Sequence, residues 1–111
     1  MRRAHSPSPH SQDAVRVLGL EIARARRARR WSQLELAERA GVSRATLQNA
    51  EHGNPRVAIG TVFEIAELVG VELFGAPATA MPALIRRGQD RLAVLPSRVR
   101  ARSDVELQDD F

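Results

Sequence analysis

Between residues 43 and 49 the sequence reads SRATLQN. On an α-helix, Arg44, Ala45, Gln48 and Asn49 fall at i, i+1, i+4 and i+5 and share one face. Their types match the chemistry of a DNA major groove. An arginine donates two bonds to guanine, a Gln or Asn amide makes two bonds with adenine, and an alanine methyl meets the methyl of thymine. Arg44 is also suited to a backbone phosphate. The plain alternative is a solvated polar face, and the elements around the stripe weigh against it.

Two short helices must position that stripe. Ser32-Gln33-Leu34-Glu35 has the form of a capping box, which predicts a helix from 33 to 39 or 40. Gly41 supplies the positive φ that ends it, Val42 plugs the corner, and Ser43 caps the next helix, expected over 44–51 and closed by Gly53. Ala37 is small enough for the second helix to cross the first. Leu47 and Ala50 face inward, which leaves the stripe outward. Together these features make a helix–turn–helix pattern.

The flanking chain supplies the remaining layers. A first helix is expected over 14–29, capped by Asp13, with Val15, Leu18, Ile22 and Ala25 inward. A fourth is expected over 60–69, with Val62, Ile65, Ala66 and Val69 on one side. Val71-Glu72-Leu73-Phe74 alternates and reads as a short strand suited to pairing between two copies. A fifth helix is expected over 81–94, stopped by Pro96. Residues 1–13, rich in Ser, Pro and His, read as a disordered arm, and 97–111 as a flexible tail with arginines before acids and a terminal Phe111. The expected organisation is thus an arm (1–13), a DNA-binding domain (14–75), a C-terminal helix (76–96) and a tail (97–111). The fold class is all-α, a compact helix–turn–helix bundle of about five helices.

Composition narrows the rest. The 111 residues contain no cysteine, which excludes a disulfide framework and a thiolate zinc site. No run approaches the ~18 apolar residues of a membrane helix, so a soluble cytoplasmic protein is expected. Aromatic residues are 4% of the chain, so the core must be aliphatic and alanine-rich. The net charge of +4 is uneven. Residues 1–31 hold eight Arg against Asp13 and Glu21, whereas 32–75 hold three Arg against six Glu. Such asymmetry points to a polyanion or an acidic partner, and Arg24, Arg27, Arg29 and Arg30 are the expected phosphate neighbours. His5, His10 and His52 are isolated, so no metal site is expected, and no convergent acid, base or nucleophile set suggests an enzyme or a cofactor. Trp31 is expected to pack between the first two helices.

The segment WSQLELAERAGVSRATLQNAEHG, residues 31–53, closely resembles the Cro/C1-type (Xre) helix–turn–helix family, and the resemblance extends over about 17–71. It implies a bundle that binds operator DNA as a dimer. It also implies roles by position. Gln33 matches a residue that binds backbone phosphate. Ser43, Arg44 and Ala45 match the start of the recognition helix, and Asn49 matches a base reader. Thr46 and Arg56 match phosphate contacts. Arg26 and Glu51 match a structural ion pair between the first and third helices.

Two departures stand out. The family often has glycine where this chain has Arg30. A left-handed arginine there would carry strain of about 1 kcal/mol, offset by DNA or by helix-end carbonyls. Ala58 replaces the usual cap before the fourth helix. A second similarity, over GNPRVAIGTVFEIAELVGVELF and the ending LAVLPSRVRARSDVELQDDF, is to HipB-type antitoxins. It implies autorepression of an operon and a HipA-like kinase toxin as partner, docked through the tail.

The leading expectation is therefore a repressor that reads a palindrome on double-stranded DNA as a homodimer, through 71–74 and the apolar face of the fifth helix. The competing readings are an antitoxin whose main task is kinase binding, and an enzyme or RNA-binding adaptor.

Overall fold

Ser8 and Pro9 start the first helix. The Ser8 hydroxyl accepts from the Ser11 amide at 3.3 Å, and Pro9 occupies the first turn, where its missing N–H costs nothing. Helix α1 accordingly spans Pro9–Ala28, five residues longer at its start than Asp13 capping implied. Residues 9–13 are therefore helical, not part of an arm, because a Ser-Pro pair is the stronger start signal. The computed structural model describes residues 7–98, so arm residues 1–6 and tail residues 99–111, Phe111 included, lie outside the described residues.

Helix α2 spans Gln33–Ala40, α3 Arg44–Glu51 and α4 Ile59–Leu68. A single 3-10 turn, Ala78–Ala80, precedes α5, Met81–Ala93. The chain divides into two units, one ending at Ala78 and one beginning at Thr79. Among the described residues there is no strand. Val71 and Glu72 lead instead into a tight turn over Leu73–Ala76: the Ala76 amide donates to the Leu73 carbonyl at 3.2 Å, and Phe74 and Gly75 both have positive φ (58° and 66°). Val71 and Leu73 do point toward the core and Glu72 outward, so the alternation was real. The reversal after Leu73 leaves no extended edge for a second copy to pair with.

The core of the first unit draws one fully buried large side chain from each of its four α-helices: Ile22, Leu36, Leu47 and Ile65. Each contributes about 1.5–3 kcal/mol on leaving water. Alanines 25, 37, 50 and 66 fill the spaces between helices, and Leu18, Trp31, Val42 and Val57 close the margins. The architecture is all-α. The second unit, taken by itself, is a helix with Pro82 in its first turn and no buried residue. Ile85 and Leu92 on α5, and Leu95 just after it, are largely exposed.

One close approach fixes how α1 and α3 cross. A Cβ added at Gly19 would lie 2.5 Å from the Glu51 carbonyl oxygen and 2.6 Å from that of Ala50. Both obstacles are backbone and cannot swing aside. Gly19→Ala would gain about 1 kcal/mol of helix propensity, yet it must push two helices apart. The net effect is expected to be a loss of about 1–3 kcal/mol, read as a lower urea midpoint. A variant more stable than the wild type would show that this crossing is not tightly set.

Candidate nucleic-acid interface

The turn between α2 and α3 sets the interface. Gly41 adopts φ 70°, ψ 30°, and the Val42 amide donates to the Ala37 carbonyl at 3.0 Å, a Schellman closure. The capping box is complete: the Glu35 amide donates to the Ser32 hydroxyl at 3.0 Å, and the Ser32 amide to the Glu35 carboxylate at 3.2 Å. Ser43 opens α3 by accepting from the Thr46 amide at 3.0 Å, while its own hydroxyl donates to the Thr46 hydroxyl at 2.9 Å. Leu47, Ala50 and Glu51 are buried. Arg44, Ala45 and Asn49 are exposed, and Thr46 and Gln48 are half-buried at the edge of the same face.

Beneath that face runs a chain of polar contacts. Arg26 Nε and Nη2 donate to the two Glu51 carboxylate oxygens at 2.6 and 3.0 Å, with both residues buried. Gln33 Nε2 donates to Glu51 Oε1 at 3.2 Å, and Gln48 Nε2 donates to Gln33 Oε1 at 3.2 Å. The side chain of Gln48 is thus tied, through Gln33, to an ion pair in the core. Sequence reasoning placed Gln33 on phosphate and missed this link. Gln33 and Gln48 lie fifteen residues apart, and no local signal marks a bond that exists only after the turn is made.

Thr46, Asn49 and Arg56 converge on a groove of about 270 Å³ shared with Asn54 and Thr61. Asn54 Oδ1 accepts from the Arg56 amide at 2.9 Å, which orders the loop that carries Arg56. Ala58, at the start of α4, makes no side-chain cap. The first amides of α4 therefore lack a side-chain acceptor at the same groove.

The basic residues of α1 divide differently from the expectation. Arg24 pairs with Glu21 at 3.2 Å on the surface. Arg29 Nε donates to the Val69 carbonyl at 3.1 Å, with its guanidinium 5.4 Å from the Trp31 ring centroid. Arg39 covers that ring more closely, at 4.2 Å. Trp31 thus sits at the core margin under two cations, a packing role. Arg27 and Arg30 are exposed, and neither side chain has a hydrogen-bond partner among the described residues. No group of three or more His, Cys, Asp or Glu among the described residues is placed to hold a metal ion, and no described helix is long and apolar enough to cross a membrane.

The buried pair can be tested directly. Glu51→Gln leaves the Arg26 charge buried without its counter-charge and is expected to cost about 3–5 kcal/mol. Arg26→Met with Glu51→Leu removes both charges and should recover most of that loss, as measured by denaturant unfolding. A double variant no better than Glu51→Gln would mean that the pair acts through its hydrogen-bond geometry rather than through charge balance.

Residues 22–75 match the helix-turn-helix family model. A relative from Sinorhizobium fredii, an uncharacterized HTH-type transcriptional regulator, is 30% identical over 64 residues, 58% of this chain. The chain spans about a third of that relative's length (33%). No solved structure matches the chain. The turn at Gly41 and the capped α3 that follows it make α2 and α3 a helix–turn–helix, within the residues that the family model matches.

Proposed function

We propose that this protein is a sequence-specific DNA-binding transcription regulator that represses by occupying an operator as a homodimer. The observation that carries this reading is the outward stripe of α3, with Arg44, Ala45 and Asn49 free in solvent and Gln48 held in place by Gln33. Arg44 reads guanine, Gln48 and Asn49 read adenine, and Ala45 meets a thymine methyl. Gln48 keeps its carbonyl oxygen and one amide hydrogen for a base, since one hydrogen goes to Gln33.

Phosphate contacts frame the stripe. Arg56 and the uncapped start of α4 take one strand beside Thr46. Gln33, Ser43 and Arg30 take the backbone near the start of α2 and α3. A single domain of this size binds weakly, so a dimer supplies affinity and two-fold symmetry, with two α3 helices about 34 Å apart. The exposed apolar side chains Ile85 and Leu92 of α5, with Leu95 just beyond it, are the surface for that contact, now that the chain turns at Leu73–Ala76. The antitoxin reading rests on the similarity over 53–74 and the ending 92–111, of which 99–111 lie outside the described residues, and no observation favours it over operator binding.

Selection of bound duplexes from a random pool tests the proposal. A palindrome with half-sites about one helical turn apart is expected. An unenriched pool would refute sequence-specific binding. Against the selected site, Arg44→Ala should cost about 1–3 kcal/mol and relax preference at one position of each half-site. Arg56→Ala should weaken selected and unrelated duplexes alike and reduce the salt slope by about 1 per chain. If both variants keep wild-type affinity and salt dependence, the reading face has been placed on the wrong side of α3.

A further inference from the structure

Four helix ends in the first unit close with the same backbone motif. In each, a residue with positive φ is followed by an amide that reaches back to the last turn: Trp31 to Arg26, Val42 to Ala37, Asn54 to Asn49, and Val71 to Ala66. At three of these ends the left-handed residue is glycine, namely Gly41, Gly53 and Gly70, with φ of 70°, 74° and 81°. At the fourth it is Arg30, with φ 60°. An L-residue with a long side chain is strained there, and glycine is not.

The strain is held in place by its neighbours. Arg29 is bonded to the Val69 carbonyl and lies over Trp31. Trp31 is bound at both backbone groups to Arg26: its amide donates to the Arg26 carbonyl at 3.2 Å, and its carbonyl accepts from Arg26 Nη1 at 2.9 Å. The Arg39 guanidinium covers its ring. With both neighbours fixed, the backbone of Arg30 has no freedom to relax.

Among the described residues, no side-chain contact of Arg30 compensates for it. The other strained non-glycine residue, Phe74, packs edge-on against Phe63 with ring centroids 5.9 Å apart. Arg30 is exposed, its guanidinium makes no hydrogen bond among the described residues, and the helix-end carbonyl that an arginine of this turn does reach, that of Val69, is taken by Arg29. The turn leads directly into Ser32 and Gln33, and Gln33 touches the reading residue Gln48. The start of α2 therefore lies beside the proposed DNA face.

We infer that Arg30 is kept in a left-handed conformation because this fixed turn aims its guanidinium at a DNA phosphate next to the start of α2, with Trp31 and its two arginines as the positioning clamp. This rests on the DNA-binding reading and deepens it. It assigns a backbone contact to a residue that weakens the fold, and it separates Arg30 from Arg29 and Arg39, which are held within the domain.

The test uses the full chain, a mixed-sequence DNA duplex, and three variants: Arg30→Gly, Arg30→Ala and Arg30→Lys. Arg30→Gly relieves the strain and removes the charge, whereas Arg30→Ala removes only the charge. The Gly variant should melt no lower than the wild type and about 4–8 °C above the Ala variant. Both should bind DNA roughly tenfold more weakly at 0.1 M salt, with the slope of log K against log salt reduced by about 0.9 per chain. Arg30→Lys should retain the wild-type slope. A wild-type slope in Arg30→Gly overturns the contact, and so does a Gly variant that melts below the wild type, since Arg30 would then be serving the fold. Wild-type protein that binds no duplex at any salt concentration overturns the DNA reading itself, a result distinct from the other two.

Discussion

The fold depends on one buried interaction, the pairing of Arg26 with Glu51. The two residues come from α1 and α3, 25 positions apart, and are 7% and 4% exposed. Taking two charges out of water costs several kcal/mol per ion, and the attraction offsets this only if geometry and hydrogen bonding are nearly complete. Here they are. The guanidinium makes two bonds to the carboxylate and a third to the Trp31 carbonyl, and the carboxylate accepts a further bond from Gln33. Among the described residues, no buried side-chain nitrogen or oxygen lacks a partner. A replacement by packed hydrocarbon could match such a pair in stability. It would lose the directional contact that, together with the packing at Gly19, sets the rotation of α3 about its axis.

That register is set twice. The backbone carbonyl of Glu51 rests against Gly19 and accepts from Arg16 Nη1 at 3.3 Å, while its side chain meets Arg26 and Gln33. The end of α3 is therefore clamped from both sides, and its outer stripe inherits the position. Gln48 is the last link of this chain. Its amide is ordered when the domain folds, so part of the entropy of arranging a reading face is already lost before any ligand arrives. Arg44 and Asn49 carry no such tether and remain adaptable.

Much of this was legible in the sequence wherever the signal was local. The bounds of α2 and α3 follow from Ser32, Glu35, Gly41 and Ser43, each of which acts within a few residues of itself. The start of α1 was misread because Ser8 and Pro9 lie in a stretch whose composition resembles disorder, and composition hid a cap. The segment 71–74 was misread because alternation over four residues is shared by a strand and by a half-buried turn, and only the positive φ of Phe74 and Gly75 separates them. At the site, the residue types on the α3 stripe were readable from spacing. The bond from Gln48 to Gln33 was not, and neither was the use of Arg29 to close the end of α4, since both join residues brought together by packing alone.

The arginine-rich start of the chain changes meaning in this light. Eight of the first 31 residues are arginine, which suggested a broad attraction to polyanions. In the folded domain, Arg16 and Arg29 close the ends of α3 and α4, Arg24 pairs with Glu21, and Arg26 is buried with Glu51. Charge committed to internal partners contributes little to counterion release, which depends on cations that reach phosphates. The domain beyond residue 31 has twice as many Glu as Arg up to residue 75, six against three, so long-range steering toward DNA is weak there. Under the proposed DNA reading, attraction among the described residues comes from a few free arginines at the rim of the α3 stripe: Arg27 and Arg30 before α2, Arg44 on α3, and Arg56 beside the groove at Thr46 and Asn49. On that reading, so few cations must each stand at a defined place to be effective, which is the demand that the proposed role of Arg30 meets at a backbone position glycine would fill without strain.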